Sequence, residues 1–203
     1  MKKLILASNN KKKIEEIKYI LRNIDLEVKS LNDENINIEV IEDGVTFKEN
    51  ANKKAREIRE YLINRGDTDF IVMADDSGLE VDYLNGEPGV YSARYAGEHG
   101  NDTKNNEKLL KNLQGVPAEK RGAKFICHVT LINYKGKSLD IRGEVKGIRG
   151  DKLNGEGGFG YDPLFYNEKL NKTFGEASKE EKNSVSHRGE ALKELKEKIY
   201  QLL

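Results

Sequence analysis

Apolar residues recur along this chain with the periods of both strands and helices, which predicts a mixed α/β fold. Residues 4–7 form a short continuous apolar run, typical of a buried strand. Ser8, Asn9 and Asn10 follow it as turn and cap residues, and isoleucines and leucines then recur at helical spacing over residues 11–22. The chain therefore begins with a strand, a polar loop and a helix, whose first backbone N–H groups can attract an anion.

The next helix is expected to begin after Thr46, because Thr46 and Glu49 have capping-box spacing. It is expected to end at Arg65, before Gly66. Strands alternate with helices early in the chain and follow one another later, so the sheet is expected to be mixed rather than wholly parallel. The later elements predicted are a helix over residues 101–113, strands over residues 123–134 and 138–149, a capping box at Ser178 and Glu181, and a last helix from about His187.

Two adjacent carboxylates, Asp75 and Asp76, come directly after a second continuous apolar run over residues 70–74. That run indicates a buried strand. Residues 75–78 are expected to turn, because aspartate and glycine favour tight turns. Residues 79–84 then alternate between apolar and polar, as a further strand would. The carboxylate pair is therefore expected between two strands.

The length and charge of the chain narrow the class of protein. Its 203 residues fit one domain over residues 1–203, and 35 Lys and Arg balance 35 Asp and Glu. A net charge of zero leaves no overall field for sequence-independent binding to nucleic acid, so any anion site must be local. Cys127 cannot form an internal disulfide, and no apolar run approaches the length that spans a membrane. We therefore expect a soluble, cytoplasmic protein.

A divalent cation is the ligand that best explains the two aspartates. A turn alone needs only one such residue, whereas Asp75 and Asp76, joined by Glu42 or Asp43 from another loop, offer the hard oxygen ligands that Mg²⁺ prefers. The simpler interpretation is that both aspartates only form a turn. No Cys and His spacing in the sequence supports zinc.

A polyphosphate is the anion that the start of the first helix suits best. Asn10 and Lys13 lie one helical turn apart, so an amide and an ammonium group can grip one phosphate chain. Three lysines on an exposed helix are more often only a solvated face, which makes this cluster weak evidence by itself. The G-x-x-x-x-G-K-[ST] pattern of a P-loop is absent.

A glycine-rich segment over residues 150–160 ends with Phe159 and Gly160, and Tyr161 and Asp162 follow it directly. Glycines on both sides of Phe159 let the backbone approach a ligand closely, and Phe159 or Tyr161 could stack on a purine ring. A flexible loop is the simpler alternative, because a lone glycine-rich string is weak evidence for a ligand.

The order of these motifs along the whole chain adds a family resemblance. The motifs occupy residues 8–13, 42–51, 74–79, 88–95, 157–163 and 181–189. Together they resemble the inosine/xanthosine triphosphate pyrophosphatases, the house-cleaning non-canonical purine NTPases, in their bacterial type. Asn9 stands where that family usually has a glycine. The difference bears only on the backbone path of the loop, since asparagine tolerates left-handed conformations.

The resemblance implies a role for each motif. Asp76 would be the catalytic base, and Glu42 with Asp76 would bind Mg²⁺. The motif of Ser186, His187 and Arg188, by itself only an N-capped helix start, would contact the substrate. The full set of substrate-binding residues that the resemblance implies is Ser8, Asn9, Asn10, Lys11, Lys12, Lys13, Ser77, Phe159, Gly160, Tyr161, Asp162, Lys182, His187 and Arg188.

The resemblance also implies a fold and an activity. The fold would be an elongated α/β structure with a central mixed β-sheet flanked by helices, two lobes with a cleft between them, and assembly as a homodimer. The activity would be Mg²⁺-dependent hydrolysis of ITP, dITP or XTP to the nucleoside monophosphate and pyrophosphate. Two alternatives remain open: a Maf-like pyrophosphatase for other modified nucleotides, and a non-catalytic nucleotide-binding module, which the neutral charge and paired carboxylates disfavour.

Overall fold

The computed structural model describes residues 2–203, and the strands within them form one mixed sheet. These strands are β1 (Lys3–Leu6), β2 (Glu27–Ser30), β3 (Phe70–Val81), β4 (Gly122–Asn133), β5 (Ser138–Arg149), β6 (Phe165–Asn167) and β7 (Lys172–Thr173). Their order in the sheet is β2-β1-β3-β4-β5-β6-β7. Strand β1 pairs in parallel with β2 and β3, whereas β6 pairs antiparallel with β5 and β7. The predicted mixed sheet is confirmed.

Helices begin where the predicted cap residues lie. Asn10 and Thr46 each accept a hydrogen bond from the backbone N–H three residues later, and Ser178 and Glu181 form the predicted capping box. No helix within residues 2–203 combines the length and the apolar content that crossing a bilayer requires. The α-helices are α1 (Lys11–Ile20), α2 (Phe47–Arg65), α3 (Asp102–Asn112), α4 (Lys179–Val185) and α5 (His187–Lys198). The predicted α/β class is thus confirmed, while the elongated shape and the cleft stay predictions.

The chain divides into two compact units, here called unit 1 and unit 2. Unit 1 contains the chain up to Asp76, Cys127–Arg142 and Ala191–Leu203. Unit 2 contains Ser77–Ile126 and Gly143–Glu190. The single domain expected over residues 1–203 stays a prediction.

Alternate residues of β1 face two different cores of unit 1. Leu4 and Leu6 belong to a cluster with residues of α1 and α5, whereas Ile5 belongs to a cluster with residues of α2. Both faces of this parallel strand are therefore covered, which explains why its sequence is a continuous apolar run. Unit 2 has a separate apolar core that includes Leu79, Leu109 and the aromatic residues Phe165 and Phe174.

The turn that we expected after the second apolar run is wrong, because β3 continues without a break to Val81. Asp75 and Asp76 lie inside the strand and are 2% and 6% exposed. Their burial has compensating partners, since Lys13 lies 3.2 Å from Asp75 and Asn50 donates a hydrogen bond to Asp76. These tertiary contacts override the local turn preference of aspartate and glycine.

Candidate active site

The loop after β1 is fixed by two of its own side chains. Ser8 Oγ accepts a hydrogen bond from the Asn10 N–H at 3.2 Å, and Asn10 Oδ1 accepts one from the Lys13 N–H at 3.1 Å. Asn9, Lys11 and Lys12 are exposed, whereas Lys13 is half-buried. Asn9 is not among the residues with positive φ in the described part of the chain, so its position does not require a glycine.

Strand register brings this loop beside the two aspartates. Leu6 of β1 pairs with Met73 of β3, so the residues that follow β1 lie next to the segment that follows Met73. Lys13 Nζ accordingly lies 3.2 Å from Asp75 Oδ2, and the Asp75 side chain is 1% exposed. The basic helix start and the paired carboxylates are therefore neighbours within unit 1.

Helix α2 supplies two further polar side chains from its buried face. Asn50 Nδ2 donates to Asp76 Oδ2 at 2.9 Å, while Asn50 Oδ1 accepts from the Gly44 N–H at 2.8 Å. Lys54, one turn later, donates to Glu42 Oε1 at 2.8 Å and to the Asp75 carbonyl at 2.6 Å. A Cβ at position 44 would lie 2.7 Å from Asn50 Oδ1, so only glycine permits this approach.

Burial and neighbouring charges together shift the pKa values of Asp76 and Lys54 upward. Burial raises the pKa of the Asp76 carboxyl above its ordinary value, and the attraction of Lys54 and Lys13 only partly offsets the effect. The Glu42 carboxylate adds to the rise by repulsion. Burial lowers the pKa of Lys54, but attraction to Asp76, Glu42 and Asp75 outweighs it, so the net shift is upward. Asp76 is therefore a carboxyl group with raised proton affinity, as a general base needs.

Glu42 and Asp76 are suitable ligands for Mg²⁺. Within residues 2–203, no group of three or more His, Cys, Asp or Glu side chains is arranged to hold a metal ion. Mg²⁺ is commonly bound by only one or two carboxylates together with waters and substrate phosphates. Burial is the main cause of the raised Asp76 pKa and repulsion from Glu42 adds to it, and a divalent cation would relieve that repulsion. Asp43 forms an exposed ion pair with Lys53 instead, so Glu42 is the better candidate of the two, and its role as a metal ligand stays a prediction.

Asp162 organises the second polar cluster, which lies in unit 2. Its Oδ2 atom accepts hydrogen bonds from the Phe159 N–H and from Lys182 Nζ, both at 2.8 Å. Asp162 and Lys182 are both buried, at 2% and 5% exposure. Gly158 has a φ of 71°, and a Cβ there would lie 2.1 Å from Asp162 Oδ2, so a side chain would displace the carboxylate.

Two cations lie close to the ring of Phe159. Lys182 Nζ is 4.6 Å and Arg188 Cζ is 5.8 Å from the ring centroid, within the range of cation–π attraction. Arg188 also donates to Ser77 Oγ at 3.0 Å. Phe159 itself is partly exposed, so this ring can meet a ligand while the cations beside it offer hydrogen-bond donors.

The remaining predicted residues of unit 2 have mainly internal partners. Tyr161 is 3% exposed, and its hydroxyl donates to the Ser92 carbonyl at 2.9 Å. His187 stacks on Phe125 with ring centroids 4.9 Å apart. Gly160 forms hydrogen bonds with residues of α3 through both of its backbone groups. Of the two aromatic candidates for stacking on a base, Phe159 is the accessible one.

Asn50 and Lys54 are not among the binding residues predicted from the sequence, although Asn50 donates to Asp76 and Lys54 donates to Glu42. A signal was present, because both lie on the stripe of α2 that also carries the apolar residues Ala51, Ala55 and Ile58. A polar residue on the buried stripe of an amphipathic helix needs a buried partner, and here those partners are carboxylates.

A groove of about 610 Å³ follows the exposed side of α2 and contains none of the predicted site residues. Its walls carry charges of both signs, among which Lys53 pairs with Asp43 and Glu57. The groove is therefore a charged, solvated face of α2, whereas Asn50 and Lys54 lie on the buried face of the same helix.

The fold and the polar clusters together define an α/β protein in which a basic helix start lies beside paired buried carboxylates. The chain belongs to the Ham1 family, whose model matches residues 4–198. It is 56% identical over 203 residues to the dITP/XTP pyrophosphatase of Clostridium perfringens, with all of both chains covered. It is 50% identical over 199 residues to the dITP/XTP pyrophosphatase of Clostridium tetani, covering 98% of this chain and 96% of that one.

Solved structures agree with this assignment. The Ham1 protein of Staphylococcus aureus has a TM-score of 0.85 at 41% identity, covering 98% of this chain and 99% of that chain. A Ham1 protein from Coxiella burnetii has the same TM-score at 34% identity. The family resemblance drawn from the sequence motifs is thereby confirmed.

Proposed function

We propose that this protein is an enzyme that hydrolyses the non-canonical purine nucleotides ITP, dITP and XTP to the nucleoside monophosphate and pyrophosphate. Full-length relatives named dITP/XTP pyrophosphatase support the substrate class. The observation that carries the proposal is Asp76, a buried carboxyl of raised pKa that lies among Asn50, Lys54 and Lys13. Such a group has the proton affinity and the cationic surroundings that water attack on a phosphate requires.

The α1 end of unit 1 is suited to the triphosphate. Ser8, Asn10 and Lys13 line the start of a helix, where the positive end of the helix dipole favours phosphate oxygens. Lys13 can then leave part of its interaction with Asp75 for the departing pyrophosphate, on which negative charge develops.

Asp76 is suited to act on the attacking water. The water oxygen forms a bond to the α-phosphorus, the bond from that phosphorus to the bridging oxygen breaks, and the water proton passes to the Asp76 carboxylate. Asn50 holds the carboxylate in one orientation through the hydrogen bond to Oδ2. Glu42 and Asp76 would hold Mg²⁺. When bound, the ion would neutralise part of the negative charge of the phosphates.

The Phe159 cluster of unit 2 is suited to the purine base. The exposed part of the Phe159 ring can stack on a purine, and Lys182 and Arg188 supply donors near it. Hypoxanthine and xanthine carry a carbonyl oxygen at position 6, which accepts such donors. Adenine carries an amino group there, which would leave buried donors unpaired and penalise binding.

We also expect the protein to form a homodimer and to lie in the cytoplasm, as the family resemblance implies. We expect neither nucleic acid nor membranes as partners, because a net charge of zero leaves no overall field to attract them and the candidate ligand sites are local.

A substrate panel tests the proposed function. We expect the purified protein with Mg²⁺ to release pyrophosphate from ITP, dITP and XTP at least about 10²-fold faster, in kcat/KM, than from ATP or GTP. The measurement is pyrophosphate formation with each nucleotide, with a chelator added as the metal-free comparison. Comparable hydrolysis of ATP would contradict the specificity, and preferred hydrolysis of modified pyrimidine nucleotides would favour the Maf-like alternative.

Replacing Lys13 tests the phosphate end of the site. For Lys13→Ala we expect kcat/KM for ITP to fall by a factor that corresponds to about 1.5–3 kcal/mol of lost transition-state stabilisation. This is the scale of a hydrogen bond to a charged group. Lys18→Ala on the same helix is the matched control, because Lys18 pairs with Asp33 on the exposed surface. Equal kcat/KM values for the wild type and Lys13→Ala would remove Lys13 from the site.

A further inference from the structure

Helix α3 holds both backbone groups of Gly160. The Gly160 N–H donates to Asp102 Oδ2 at 2.8 Å, and the Gly160 carbonyl accepts from Asn106 Nδ2 at 2.8 Å. Asp102 and Asn106 lie one helical turn apart, and Asn106 Nδ2 also donates to the Asp102 carbonyl at 2.8 Å. Both residues lie outside the sequence motifs that predicted the site, and Asn106 is 4% exposed.

This contact completes the fixation of the backbone around Phe159. The peptide N–H of Phe159 is held by Asp162, the next N–H by Asp102, and the carbonyl after it by Asn106. Three consecutive peptide groups therefore each have a side-chain partner. Because these groups set the backbone angles of Phe159 and Gly160, they also set the direction in which the Phe159 ring points.

The start of α3 is itself well anchored within unit 2. Asn101 caps the helix by accepting from the Lys104 N–H at 3.0 Å. Asn105, which is 2% exposed, accepts from the Ala96 N–H at 2.8 Å and donates to the Ala93 carbonyl at 3.3 Å. Asp102 and Asn106 therefore hold Gly160 from a fixed support rather than from a mobile loop.

We infer that Asp102 and Asn106 are positioning residues that orient Phe159 for stacking on the purine base. The inference rests on the proposed function, since it assigns a task to the same base-binding cluster. A purely structural role for the two side chains would lower stability without selectively weakening binding of the base.

Kinetics with ITP separate these two roles. We expect Asp102→Ala and Asn106→Ala each to raise KM for ITP about tenfold with kcat changed less than about twofold, because stacking acts equally on bound substrate and transition state. Asp102→Asn keeps a side-chain oxygen that can accept from the Gly160 N–H, so it should recover most of the wild-type KM. Asn112→Ala is the control: Asn112 lies at the other end of the same helix, and its side chain donates to the Tyr95 hydroxyl rather than contacting Gly160.

Amide exchange supplies a measurement that is independent of hydrolysis. We expect the Gly160 amide to exchange roughly tenfold faster in Asp102→Ala than in the wild type or in Asn112→Ala, as NMR would detect. An unchanged KM in Asp102→Ala and Asn106→Ala, or an equal rise in Asn112→Ala, would overturn the inference, as would an unchanged exchange rate. Failure of the wild type to hydrolyse ITP would instead contradict the proposed function.

Discussion

Replacing Asp76 by asparagine is expected to lower kcat for ITP by about 10³-fold or more, because the variant loses both a general base and a negatively charged metal ligand. The fold should persist, since the new amide oxygen can still accept the hydrogen bond from Asn50. Removing one buried carboxylate also leaves Lys54 its contacts with Glu42 and the Asp75 carbonyl. The measurement is steady-state pyrophosphate release, with thermal unfolding recorded for the same samples.

The matched control for this prediction is Asp43→Asn. Asp43 follows Glu42 directly, but it pairs with Lys53 at an exposed position, so its loss should change kcat by less than about twofold. A large loss of kcat in Asp43→Asn would show that general negative charge near the loop matters, rather than the Asp76 carboxylate. Retention of wild-type kcat by Asp76→Asn would remove Asp76 from the chemistry.

Elements with strong local signals were predictable from the sequence. Helix α2 begins after Thr46 and ends before Gly66 because both cap residues act through local geometry. Strands β6 and β7 were not predicted, since three and two residues are too few to show a period. The break expected inside β3 was wrong for the opposite reason, because the local signal for a turn was present but distant side chains stabilise an extended backbone.

The residues of the candidate site also divide into those with a local sequence signal and those defined by distant contacts. Lys13, Asp76 and Asp162 were predicted because they belong to motifs whose residue types fit phosphate, metal or ligand contacts. The roles of Asn50 and Asn106 depend on contacts 26 and 54 residues away in the chain. No local periodicity encodes such partners, so only the folded structure reveals them.

Replacing Lys182 by methionine is expected to have large effects on both stability and activity. The ion pair with Asp162 is almost fully buried, at 7% and 3% side-chain exposure, and its loss leaves Asp162 without its lysine. Breaking a buried pair by removing one partner typically costs about 3–5 kcal/mol of unfolding free energy. The variant also loses a donor beside Phe159, so kcat/KM for ITP should fall by about 10²-fold. Denaturant unfolding and steady-state kinetics measure the two effects.

A double variant separates stability from recognition. In Lys182→Met/Asp162→Asn the uncompensated charge is gone, while an amide oxygen can still accept the Phe159 N–H, so most of the lost stability should return. The low kcat/KM should persist, because the donor of Lys182 is still missing. Lys172→Met is the control: it breaks the partly exposed pair with Glu181 and should cost at most about 1 kcal/mol. Recovery of kcat/KM together with stability in the double variant would mean that Lys182 supports the fold alone and that the base is recognised by other groups.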